Sequence, residues 1–133
     1  MRNLLISGLM AMTLATCDAG DETVRAYGAA DKTWVLESID EAAFEAAATL
    51  TFPEPGRIAG KAPCNAFSAD MTVPYPWFET GPIMATRMAC PDLPAETEFL
   101  TALSDMTLSE VLGDTLVLSN DANRSMVFRV RSR

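Results

Sequence analysis

Histidine is absent from the 133-residue chain. Its absence removes the commonest general base, the commonest zinc ligand and every catalytic triad that needs imidazole. Lysine is scarce too, at Lys32 and Lys61 only, and neither closes a Ser-x-x-Lys spacing. No glycine-rich phosphate loop occurs. No apolar run reaches the ~20 residues that a membrane-crossing helix needs. Positive charge is in deficit: ten basic residues face eighteen acidic ones, a net charge of −8. Such a surface repels phosphate backbones, so nucleic acid is excluded as an expected partner. What is present is a globular composition, 49% hydrophobic and 21% charged, in a length that suits one domain.

The first residues read as an export signal. Met1-Arg2-Asn3 forms a short positive head, and Leu4–Leu14 is an apolar run of the ~7–15 residues typical of a secretory signal. The run leads into Leu14-Ala15-Thr16-Cys17, which resembles the bacterial lipobox. That resemblance implies cleavage before Cys17, diacylation of its sulfur and a lipid-anchored new N-terminus. Thr16 stands where Gly or Ala is more usual. Cleavage would remove Arg2 and no acid, leaving the mature chain one unit more negative. Asp18 resembles the inner-membrane retention signal of enteric lipoproteins. The expected address is therefore the bacterial envelope, facing the periplasm. Residues 1–16 are read as signal peptide, 17–32 as lipidated N-terminus and flexible tether, and 33–133 as the folded domain.

With Cys17 assigned to lipid, Cys64 and Cys90 remain. An even pair in an oxidising compartment reads as a disulfide, and two buried free thiols are the alternative. Two sulfurs with no third ligand nearby do not complete a tetrahedral metal site.

Along the domain, Thr33–Ile39 has strand composition, and Asp40–Ala48 reads as one or two helical turns or a crossing loop. Thr49–Phe52 and Arg57–Gly60 flank a Pro-Glu-Pro-Gly turn and read as a hairpin. Lys61–Val73 looks irregular, and Trp77–Met84 reads as a strand interrupted at Pro82. Pro94 suits a helix first turn, Glu96 and Glu98 suit its positive end, and Phe99, Leu100, Leu103 and Met106 fall at helical spacing. A three-strand meander over residues 108–130 follows, with turns at Gly113-Asp114 and Ser119–Asn123. Its last strand puts Met126, Phe128 and Val130 on one face and Arg129 and Arg131 on the other. The C-terminal arginines Arg124, Arg129, Arg131 and Arg133 read as a solvated strand; a docking patch for anionic lipid or protein is the alternative.

These features, taken in order, resemble the META domain, also called HslJ-like, of bacterial heat-shock-associated and envelope lipoproteins. The matching stretches are Trp34-x-Leu36, Leu50-x-Phe52, Gly56-Arg57-Ile58-x-Gly60 and Cys64-Asn65-x-Phe67. Further on come Ile83-x-x-Thr86-Arg87-Met88-Ala89-Cys90, Glu96-x-x-Phe99-x-x-x-Leu103 and Gly113-Asp114-x-Leu116-x-Leu118. Pro63 stands where the family usually has Gly before the cysteine, and Ser68-Ala69-Asp70 stands where it tends to carry a turn glycine. The resemblance implies an α+β fold, with an antiparallel, barrel-like β-sheet and one amphipathic helix. It also implies the Cys64–Cys90 disulfide and a link to envelope stress or stability.

No residue set reads as a catalytic site, a metal site or a cofactor site. Asn65 and Arg87, each near a cysteine, form the candidate binding patch; the plainer reading is a loop-fixing amide and a paired guanidinium. The carboxylates have the spacing of solvated faces and helix ends. Met71, Met84, Met88, Met106 and Met126 read as core filler and not as copper ligands. Asn120–Asn123 lacks the glycine and terminal glutamate of a calcium loop and reads as a turn. The expected function is non-enzymatic, as an envelope module that binds a protein partner. The alternative is a carrier of an apolar, acyl-chain ligand in the mouth of a barrel.

Overall fold

The computed structural model describes residues 20–132. Among the described residues, nine antiparallel strands and one α-helix enclose a single apolar core. Strand β1 (Trp34–Ile39) is the spine, because it joins the two halves of the sheet. On one side its first residues, Trp34 and Val35, pair with β3 (Thr49–Glu54), which continues to β4 (Arg57–Lys61), β5 (Ala66–Asp70) and β6 (Met84–Ala85). On the other side it pairs along its length with β9 (Ser125–Val130), followed by β8 (Thr115–Ser119) and β7 (Leu108–Leu112).

Period-two patterning explains the strands. In β9 Met126 and Phe128 are buried while Arg129 is exposed and pairs with Glu37 at 2.8 Å. Turn chemistry explains the hairpins. Pro55-Gly56 places glycine at φ 80° at the third turn position, where only positive φ fits, and Gly113 opens the β7–β8 turn at φ 61°.

Three parts differ from the sequence reading. The stretch 40–48 is neither helical nor a plain loop: Asp40 and Glu41, both at positive φ, make a tight turn that lets β2 (Ala42–Ala43) pair back on β1. Lys61–Val73 is not irregular throughout. Phe67 and Ala69 point into the core from β5 while Ala66 and Asp70 point out, an alternation masked in the sequence by small side chains. Trp77–Met84 is mostly not strand, with a single bridge from Trp77 to Leu108 and then β6.

The sheet does not close into a barrel. Its edges are β6 and β7, and the segment between them bonds to both sides without forming a ladder. The Ser109 N–H donates to Pro76 O and the Phe78 N–H to Thr107 O, while the Gly81 N–H donates to Asp70 O. Pro74, Pro76 and Pro82 have no N–H to donate, so this segment cannot carry a continuous ladder.

The expected tether is also corrected. Residues 21–31 are packed, with a short 3-10 turn at Val24–Tyr27 and with Val24 and Ala29 fully buried. The cause lies in Trp34. Its indole is buried, so its N–H needs an acceptor, and Ala29 O supplies one at 3.1 Å. Thr23 and Asp21 close the turn through bonds of 2.6 and 2.9 Å.

Helix α1 (Leu93–Asp105) runs three and a half turns, with Pro94 in its first turn, and buries Phe99, Ala102 and Leu103. Phe99 meets Phe67 edge-on at 5.5 Å and Phe44 at 6.3 Å. Burying such a ring stabilises the fold by roughly 1.5–3 kcal/mol. The methionines divide: Met71, Met106 and Met126 fill the core, but Met84 and Met88 are more than 60% exposed, so the core-filler reading fails for those two.

Of the C-terminal arginines Arg124 and Arg129 are paired, and Arg133 lies outside the described residues. Arg124 pairs with Asp40 at 3.1 Å and Asp105 at 2.8 Å. Asp40 also accepts the Ser125 N–H at 3.0 Å, and that bond, followed by the one from Arg124, holds its carboxyl below the ordinary value of 3.8. A depressed folded-state pKa contributes stability above the unfolded value, and that contribution is lost as pH falls through the folded one. In an NMR titration Asp40 is therefore expected below 3.8, rising only partway in Arg124→Ala because the Ser125 bond remains. A titration at or above 3.8 in the parent would contradict this arrangement.

Candidate functional site

The polar centre of the domain lies where the loop after β4, the loop after β6 and the first turns of α1 converge. Cys64 and Cys90 are disulfide-bonded there, with Cα atoms 5.8 Å apart, which fastens the two loops to one another. Beside the bridge sit two buried polar side chains, Asn65 and Glu96.

Asn65 uses its full hydrogen-bonding capacity. Its Nδ2 donates to Met88 O at 3.1 Å and to Glu96 Oε2 at 2.7 Å. Its Oδ1 accepts the Met88 N–H at 2.6 Å and the Thr86 hydroxyl at 2.9 Å. An amide offers two donors and two acceptor lone pairs, and all four are engaged. Glu96 answers from the helix: Oε1 accepts the backbone N–H groups of Cys64 and Asn65 at 3.1 and 2.7 Å. A buried carboxylate is expensive unless charge-assisted bonds replace its water, and here three donors do so.

This cluster holds three chain segments in one geometry, and its groups are turned on one another and not toward solvent. The candidate patch of Asn65 and Arg87 is therefore divided by the structure. Asn65 faces inward, whereas Arg87 is exposed, and none of the ion pairs among the described residues includes it. The plainer reading of Asn65, an amide that fixes loops, matches its bonds; among the described residues no carboxylate pairs with Arg87. Cys17 lies outside the described residues.

Glu96 is the residue that sequence reasoning misplaced, since its charge suggested a solvated helix end. A signal was available. Glu96, Phe99 and Leu103 stand at i, i+3 and i+7, so an acid opens the apolar stripe itself. Only a donor set in another segment makes that position tolerable for an acid.

The surface depressions are open to solvent. One of about 310 Å³ lies along β5 and β6, lined by Phe67, Ser68, Met84 and Thr86. A more apolar one of about 270 Å³ lies at Val73, Pro74, Trp77 and Phe78. Among the described residues no group of three or more acidic or cysteine side chains is placed to hold a metal ion.

The model of the family described as META domain matches residues 28–133. Among solved structures, the chain is similar to a protein from Burkholderia xenovorans, determined by NMR. Identity is 22% over 83% of this chain and 88% of that one, with a TM-score of 0.66. It is also similar to a DUF4847 family protein from Bacteroides vulgatus, at 11% identity over 83% of this chain and 99% of that one, again with a TM-score of 0.66. At such identities the likeness concerns the fold alone. No curated protein matches the chain.

Proposed function

The chain belongs to the META domain family, and on that premise we propose that it is an exported, lipid-anchored envelope protein that acts by binding another envelope protein. The observation that carries the binding reading is the self-satisfied cluster of Asn65 and Glu96. A catalytic centre leaves a nucleophile, acid or base free toward a pocket. Here two buried polar side chains, Asn65 and Glu96, spend their bonds on clamping the loops. The disulfide removes the thiolate that Cys64 would otherwise offer.

The lipid carrier is the less supported reading. Such a carrier needs an apolar cavity with an open mouth. In this domain Trp34, Leu50, Phe99, Leu116 and Phe128, all fully buried, occupy the interior between sheet and helix. Native mass spectrometry of the untagged protein taken from its own envelope separates the two. A co-purifying protein supports the proposal, and a stoichiometric lipid beyond the anchor overturns it.

The anchor itself rests on the lipobox-like tetrapeptide ending at Cys17. Palmitate is expected to label the parent chain and to be lost from Cys17→Ser. Equal labelling of the two, or a mature chain that starts elsewhere, removes the lipoprotein reading.

A further inference from the structure

The packed start of the domain has a consequence for any anchor at Cys17. Asp21 and Glu22 already belong to the fold: the Thr23 N–H donates to Asp21 Oδ1, and Glu22 O accepts the Tyr75 N–H at 2.7 Å. Four residues lie between Cys17 and Glu22, which makes five steps along the chain. At ~3.3–3.6 Å per residue the chain between them spans at most ~18 Å, whatever its conformation. That is shorter than the ~30 Å diameter of a small domain. An anchored domain therefore cannot turn freely above the bilayer, and the face around Tyr75 stays on the near side.

That face has a membrane-interface composition. From Thr72 to Phe78 the chain reads Thr-Val-Pro-Tyr-Pro-Trp-Phe, without one charged residue. Trp77 is 57% exposed, and so is Tyr27, whose ring stacks on Tyr75 at 4.7 Å. Gly28, just after the 3-10 turn, backs onto Val111 of β7, the strand that the Trp77 segment bridges. Exposed Trp and Tyr settle at the headgroup level, with the ring body in the apolar layer and the polar tip in water. Leaving them in water has no evident gain for a free domain. Glu22, Glu79 and Glu110 are exposed nearby, so the attraction is apolar and not electrostatic.

We propose that the surface formed by Val73–Trp77 and Tyr27 rests on the bilayer that carries the Cys17 lipid. This rests on the lipoprotein reading, and the experiment separates the two. The full chain is expressed with its N-terminal segment, purified in detergent and reconstituted into phosphatidylcholine vesicles, with or without bromine on the upper acyl chain. Trp34 is fully buried and Trp77 exposed, so quenching by brominated lipid reports Trp77. Quenching and a shift of emission to shorter wavelength are expected in the parent, with the quenching lost in Trp77→Phe. Equal, weak quenching of both proteins on vesicles overturns the proposal. So does a blue shift without bromine quenching, which would mean that a second copy covers Trp77. Intact mass tests the anchor separately. If no acyl group is found, the lipoprotein reading fails. The same comparison is then made on mature chain coupled through its Cys17 thiol to a maleimide lipid, and it decides the surface by the same criterion.

Discussion

Serine at Cys64 or Cys90 is expected to lower the stability of the domain by about 3–4 kcal/mol. The bridge closes a sequence separation of 26 residues, and in the chain-entropy model a loop of that size restricts the unfolded ensemble by ~3.5 kcal/mol. The native state adds a second reason. Cys64 and Cys90 end the two loops that Asn65 and Glu96 clamp, so freeing them also loosens the hydrogen bonds to Met88 O and from the Cys64 N–H. Urea unfolding of parent and variants, or of parent before and after reduction, measures the difference. A loss below ~1 kcal/mol would mean that the bridge restrains chain already held by other contacts.

Alanine at Glu96 is expected to cost about 3 kcal/mol. The substitution leaves the Cys64 and Asn65 N–H groups and one Asn65 Nδ2 hydrogen without acceptors in a buried place. Each orphaned buried donor costs roughly 1–3 kcal/mol, less where water can enter. Glutamine does not repair the site fully. Its carbonyl can replace Oε1, but its amide nitrogen then faces the Asn65 Nδ2 group donor to donor. Asn65 cannot flip to relieve this, because its Oδ1 holds Met88 and Thr86. Glu96→Gln is thus expected to cost roughly 1–2 kcal/mol, between parent and alanine. Because cluster and bridge share Cys64, Glu96→Ala with Cys64→Ser should lose at least ~0.5 kcal/mol less than the sum of the single losses. Additive losses, or an unaffected Glu96→Ala, would show that the cluster does not clamp the loops.

Much of this was legible in the chain. The helix could be read because Phe99, Leu103 and Met106 keep one stripe behind Pro94, and the final meander because its turns and alternation coincide. Cys64-Asn65 and Thr86–Cys90 marked the two loops that meet. The hairpin of β1 and β2 was not legible, since two consecutive non-glycine residues at positive φ contradict local preference. Asp40 is held in that turn by Ser125 and Arg124, more than eighty residues away.

The sequence by itself determined the periodic elements, the excess of negative charge and the lack of imidazole chemistry. These depend on local spacing and on residue types that carry their chemistry wherever they are placed. Tertiary structure decided that the sheet stays open and that residues 21–31 pack under the Trp34 indole. It also decided that Glu96 is a buried clamp and not a solvated helix end. Each of those outcomes turns on whether a distant segment supplies a hydrogen-bond partner, and a partner's position is a property of the folded chain.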